Sequence, residues 1–157
     1  MKFCMFITFA CVFLYAAIAS ASGPNNIMGV WNTAKRDAKI EIYQCGIKYC
    51  GKIVWLKESA YPAGSKDGVP GTPILDQNNP NPAMRKKPLM GVNILADFVY
   101  AGDDLWTNGK IYNSNNGKMY SGKLTLISPD RLKVRGFIGI SLIGGSTIWT
   151  RGKTGAK

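Results

Sequence analysis

The stretch that most restricts the fold of this chain is residues 39–56, KIEIYQCGIKYCGKIVWL. Two runs of alternating apolar and polar residues flank Cys45 and Cys50, and Gly46 suits the turn between them. Setting Cys45 opposite Cys50 predicts a hairpin with a four-residue loop, in which Tyr43 faces Lys52, Ile42 faces Ile53 and Ile40 faces Trp55. Side chains alternate between the faces of a strand. Ile40, Ile42, Ile53 and Trp55 are therefore expected on a buried face, and Glu41, Tyr43 and Lys52 on the opposite one.

Further strand signals lie at 29–33, 92–100, 105–112, 119–127, 132–140 and 147–151. Asn116-Gly117 is the strongest short hairpin signal among them, Ser128-Pro129-Asp130 marks a turn, and Gly144-Gly145 leads into the last run. No segment has a convincing amphipathic helical period. Eight sequential strands predict an all-β fold, an antiparallel up-and-down barrel, because closure removes the exposed edges. A barrel of eight strands is just wide enough to be packed with side chains or to hold one small ligand. Between the third and fourth strands runs an irregular stretch, 57–88, that carries six of the eight prolines. Loops of that length are either functional or disordered.

The N-terminus reads as a leader. Lys2 precedes an apolar run over 3–19, and Ala19-Ser20-Ala21 has the small-x-small form of a signal-peptidase site. The run is short for a bilayer span. A signal peptide over 1–21 and one domain over 22–157 are expected, with export to the periplasm or the outside and a frayed tail from Gly152 on. Removing the leader takes Cys4 and Cys11 with it. The remaining pair, Cys45 and Cys50, reads as a structural disulfide in an oxidising compartment; a C-x4-C redox centre is the sharper alternative, but it lacks the C-x-x-C spacing.

The formal charge of +11 suggests solubility and a weak attraction to anionic membrane surfaces. Most basic residues are spread singly along strands, as in Arg131, Lys133 and Arg135, and export argues against nucleic acid as a partner. There is no histidine, which excludes Ser-His-Asp and Cys-His catalysis and histidine metal sites. No cofactor or metal is expected. Acid–base chemistry would have to use Asp, Lys or Tyr.

Gly29-Val30-Trp31 on the first strand resembles the G-x-W signature of lipocalins, and Trp149-Thr150-Arg151 on the last resembles its partner. Longer segments, among them 41–46, 49–56, 85–91, 109–112, 116–122 and 132–136, resemble an exported bacterial family of unknown function with a lipocalin-like (calycin) barrel. The resemblance implies that Arg151 packs across Trp31 at the closed end of the barrel. It brings no catalytic residues. One departure from lipocalins is that the long loop follows the third strand rather than the first.

Two places could carry function. In the barrel interior, Trp55, Trp106, Tyr112, Tyr120 and Phe137 are aromatic candidates for a ligand wall, against the plainer alternative that they fill the core. In the long loop, Asp76, Asn79 and Arg85 offer donors and acceptors, although Asp76 and Arg85 could equally form a structural ion pair. Asp103-Asp104 reads as turn chemistry. Lys110 and Tyr112 share a strand face and could polarise one another. The leading expectation is an exported protein that binds a small, partly apolar ligand, suited to an anionic head such as a fatty-acid carboxylate. The rivals are a surface-interaction module with a filled barrel and a small histidine-free enzyme.

Overall fold

Eight segments of alternating character pair in chain order, and the last pairs with the first. The computed structural model describes residues 23–152. Its strands are β1 (Gly29–Asn32), β2 (Ala38–Cys45), β3 (Lys48–Leu56), β4 (Asn93–Tyr100), β5 (Leu105–Asn113), β6 (Lys118–Ser128), β7 (Arg131–Phe137) and β8 (Gly144–Arg151). All neighbours are antiparallel and the sheet closes into a barrel, as the alternation requires. Residues 1–22, which include the expected leader, and residues 153–157 lie outside the described residues. Gly152 is not frayed: its N–H donates to the Val30 carbonyl at 2.7 Å.

The opening hairpin forms with a register two residues away from the expected one. Its turn is the two residues Gly46 and Ile47, with Gly46 at φ +69°, so Tyr43 faces Cys50 and Ile42 faces Gly51. A shift of two keeps every side chain on its face, so Ile40, Ile42 and Ile53 are buried as expected. Cys45 and Cys50 are joined as a diagonal rather than an opposed pair, with Cα atoms 5.8 Å apart. Trp55 is the exception. Ile40 faces Ile53 but Lys39 faces Trp55, so β3 carries one extra residue at this point. That bulge moves Trp55 to the outer surface, where it is 37% exposed beneath the Lys39 ammonium.

One end of the barrel is filled. Trp31, Trp106, Phe98, Leu95, Leu124 and Leu132 are fully buried there, and the 3-10 turn Pro24–Ile27 plugs the opening. Trp31 Nε1 donates to the Ile27 carbonyl at 2.8 Å, and the Tyr49 hydroxyl donates to Asn25 at 2.8 Å. Phe98 lies across Gly109 and Gly122, where an added Cβ would come within 2.4 and 2.7 Å of its ring. These inward glycines are what allow so large a ring to cross the barrel.

The seam between β1 and β8 is the shortest ladder, Trp31 with Arg151 and Asn32 with Thr150. Arg151 completes it. Its guanidinium carbon sits 4.0 Å from the centre of the Trp31 ring, and its nitrogens donate to the carbonyls of Met28, Asn26 and Pro129 at 2.7, 2.8 and 3.0 Å. Burial lowers the Arg151 pKa from its ordinary value, and Asp130 opposes the shift. A planar cation stacked on an indole and spread over three carbonyls is a role that lysine cannot copy.

Candidate functional site

The other end of the barrel is open and hollow. A cavity of about 810 Å³ occupies the half where the β1–β2, β3–β4, β5–β6 and β7–β8 connections lie. Ile40, Ile53, Ile94, Ile111, Val134 and Trp149 wall its depth, and Gly136 leaves part of the wall flat. Apart from Ile94, which the irregularity between β3 and β4 leaves beside the inward Leu95, these are inward positions of their strands, so the alternation that builds the barrel also lines the cavity. Polar groups gather at the mouth: the Tyr120 hydroxyl, Ser146, Thr147 and the Asn113–Asn115 turn, together with Lys35, Lys57, Asp37 and Glu58. The two lysines and two carboxylates balance, so the mouth itself carries no excess of either charge.

The long connection, residues 57–92, forms one side of that mouth. It is ordered by its own small core. Tyr61 is 7% exposed, packs where Gly68 has no side chain, and its hydroxyl accepts from the Leu75 N–H at 3.2 Å and from Gln77 at 2.8 Å. Two isolated bridges, Ala60 with Pro73 and Leu75 with Pro88, hold it as a strap, and Ile74 and Leu89 turn into the cavity wall.

One buried carboxylate fastens the strap to the barrel. Asp76 is 2% exposed; it accepts from the Tyr112 hydroxyl at 2.6 Å and from Asn79 Nδ2 at 2.6 Å. Burial first, and then the Asp76 hydrogen bond and charge, push the Tyr112 phenol far above the ordinary tyrosine value, so it stays a donor. Beside it, Asn78 Nδ2 donates to the Ser114 carbonyl at 2.9 Å. Gly117, at φ +68°, leaves room for the Asn78 carbonyl, which a Cβ there would overlap at 1.9 Å.

The proposed site residues thus divide into groups. Tyr120 borders the cavity, and its hydroxyl accepts from Asn116 at 3.1 Å. Tyr112 follows the inward Ile111, so it takes the outer face under the strap and touches the cavity at its rim. It is paired with Asp76 rather than Lys110, whose ammonium lies 3.4 Å from Ser121. Trp106 does not reach the cavity; it is buried in the floor against Tyr49 and Tyr100, with centroids 6.4 and 5.1 Å away. Phe137 shares the outer face of β7 with Lys133 and Arg135 by alternation, and Trp55 is outside as well. Asp76 makes no ion pair with Arg85, which is exposed and donates to the Asn79 carbonyl at 2.8 Å.

Ile40 and Ile53 were expected on a buried face but not as ligand wall, and Ile94, Ile111, Val134 and Trp149 were not among the expected site residues. Their signal is the inward set of each strand, which reads the same whether those residues fill a core or line a void. Tyr112, Asp76 and Asn79 are mutually satisfied and form a fastening. Asp103 and Asp104 lie in a turn with φ +49° and +54°. Among the described residues no three His, Cys, Asp or Glu side chains converge to hold a metal.

The comparisons with known proteins agree with this architecture. Protein HP1028 from the human pathogen Helicobacter pylori, described as belonging to the lipocalin family, is 23% identical with a TM-score of 0.66. The match covers 81% of this chain and 83% of that one, and what it shows is the fold. No curated protein matches the chain by sequence. Residues 29–151, from the first strand to the last, match the family described as an uncharacterized protein conserved in bacteria (DUF2147), and the chain belongs to that family.

Proposed function

We propose that this protein is an exported binding protein that holds a small, predominantly apolar molecule in the open half of its barrel, with the polar end of the ligand at the mouth. The observation that carries the reading is the cavity of about 810 Å³ walled by aliphatic side chains and Trp149. Ligand sites are concave, mostly apolar and of this size, with a few polar groups that fix orientation. The cavity is what favours this reading over a surface module with a filled barrel. Export is supported by the apolar run and small-x-small site at the N-terminus and by the disulfide. An enzymatic role finds less support, since the buried Asp76–Tyr112 pair is used in holding the strap.

The near-neutral mouth refines the ligand. A fatty-acid-like molecule suits the cavity, but any preference for a carboxylate over the matching alcohol has to come from the net charge of the whole protein, and salt screens it. Fluorescence titration with an apolar probe tests the reading. Saturable binding at micromolar levels, displaced by long-chain fatty acids, is expected, with native mass spectrometry of the purified protein revealing retained ligand. Failure of every apolar probe to bind, with no retained mass, rejects it.

A further inference from the structure

The β7–β8 connection has a composition that neither the barrel nor its cavity requires. Strand signals continue through Ile140, yet β7 ends at Phe137. Gly139 turns the chain at φ +70°, and the Arg135 guanidinium closes the loop by donating from Nε to the Ser141 carbonyl at 3.1 Å and from Nη1 to the Ser146 hydroxyl at 3.1 Å. The Ile143 N–H donates back to the Ile140 carbonyl at 3.1 Å. This frame holds four aliphatic side chains outward. Ile138 is 64% exposed, Ile140 60%, Leu142 87% and Ile143 67%. The loop stands at the mouth: Gly136, Gly145 and Ser146, on the strands it joins, line the cavity.

Exposed aliphatic residues concentrated on one projecting loop mark a surface that meets another apolar phase. The charge around them indicates which phase. Residues 105–152, the β5–β8 side of the barrel, carry seven basic residues and one carboxylate, Asp130. Residues 23–104 carry ten basic and eight acidic residues, so the excess positive charge of the described chain lies mainly on the side that bears the loop. Lys123 faces outward on β6 opposite Arg135, which closes the loop, and Lys133 faces outward further down β7. Two copies of this surface would repel each other. Arg131 and Arg151 sit at the closed end, whereas Lys110, Lys118, Lys123 and Arg135 lie on the half of this side that bears the loop. An anionic lipid surface would attract them, and aliphatic tips on a basic side of the barrel are the pattern that enters the interfacial region of a bilayer.

We propose that the loop 138–143 is a membrane-contacting wedge that inserts its aliphatic side chains between the headgroups of an anionic bilayer and thereby brings the cavity mouth to the lipid. Its purpose rests on the binding reading, since ligand could then pass between bilayer and cavity without crossing water. The contact itself is measured with the cavity left alone, so the two can fail separately.

Co-sedimentation of the purified protein with vesicles of phosphatidylcholine, with and without phosphatidylglycerol, tests it. Binding to the anionic vesicles and release by salt are expected. The exposed-loop double variant Leu142→Ser with Ile143→Ser should bind at least about tenfold more weakly while its apolar-probe affinity is unchanged. In Leu142→Trp, brominated lipids should quench an emission component that the parent protein lacks. No vesicle binding, equal binding by the double-serine variant, or no added quenching overturns the proposal. So does self-association in the absence of vesicles that the double-serine variant abolishes, which would make the loop a contact between copies.

Discussion

The two halves of this barrel are made by the same strands and obey different packing rules. In the closed half the inward positions alternate very large and very small: Phe98 crosses Gly109 and Gly122, and Leu95 presses on Gly51, where a Cβ would meet it at 2.9 Å. In the open half they are mostly medium-sized aliphatics, with Trp149 and Tyr120, that meet along the wall, and a Cβ on Gly136 would make only ordinary contacts, at 3.7 and 3.8 Å. The contrast teaches that a barrel of fixed strand number becomes solid or hollow through the size pattern of its inward residues. The closed half supplies the rigidity that lets the other half stay open.

Substitutions that treat the halves as equivalent should show that they are not. The largest effect is expected at Trp31. Trp31→Ala removes a fully buried ring together with its bond to Ile27 and the surface on which Arg151 lies, and should destabilise by about 3–5 kcal/mol in denaturant unfolding. A loss below about 1 kcal/mol would mean that the closed end is not the anchor described.

Next comes the fastening of the strap. Tyr112→Phe leaves the buried Asp76 short of one donor and should cost about 1.5–3 kcal/mol at neutral pH. Because the folded-state pKa of Tyr112 lies above its ordinary value of 10.0, this contribution is complete below pH 10.0 and shrinks as the pH climbs above it. The stability difference between parent and variant should therefore narrow in alkali. Tyr49, also raised by burial, titrates in both proteins and cancels. A difference that stays constant through the alkaline range would show that Tyr112 does not titrate with folding.

The smallest effect is also the sharpest test of the contrast, since it uses one chemical change in two places. Gly109→Ala should destabilise by about 1–3 kcal/mol because its Cβ meets the Phe98 ring at 2.4 Å. Gly136→Ala should be neutral or slightly stabilising, and Gly136→Leu should weaken apolar-probe binding by filling the void while the fold persists. Equal costs at the two glycines would erase the distinction between floor and cavity.

What could be read from the sequence follows the range over which each cause acts. Strand number, barrel closure and the Cys45–Cys50 pairing depend on alternation, turn residues and cysteine count, all visible within a few residues. The register did not, because a disulfide can join opposed or diagonal partners and the backbone at Gly46 chose the shorter turn. Trp55 was placed inside by unbroken alternation along β3 and Phe137 by its aromatic character, yet a one-residue bulge and strand parity put both outside. Asp76 in the loop read as a donor–acceptor candidate or as the ion-pair partner of Arg85; its actual partner, Tyr112, is 36 residues away. The apolar loop 138–143 was hidden by its likeness to a strand, which Gly139 and Arg135 prevent it from continuing.

The shortness of the seam has a kinetic meaning. Six of the eight ladders join strands linked by short connections and can zip locally; β3 meets β4 across the 57–92 connection, and the meeting of β1 with β8 spans the longest stretch of chain of all. Contacts that form only at such a late step act on the unfolding rate more than on the folding rate. The Arg151 stack over Trp31 therefore works as a latch on how long a folded molecule persists, and the chain reaches its native shape at nearly the same speed with or without it.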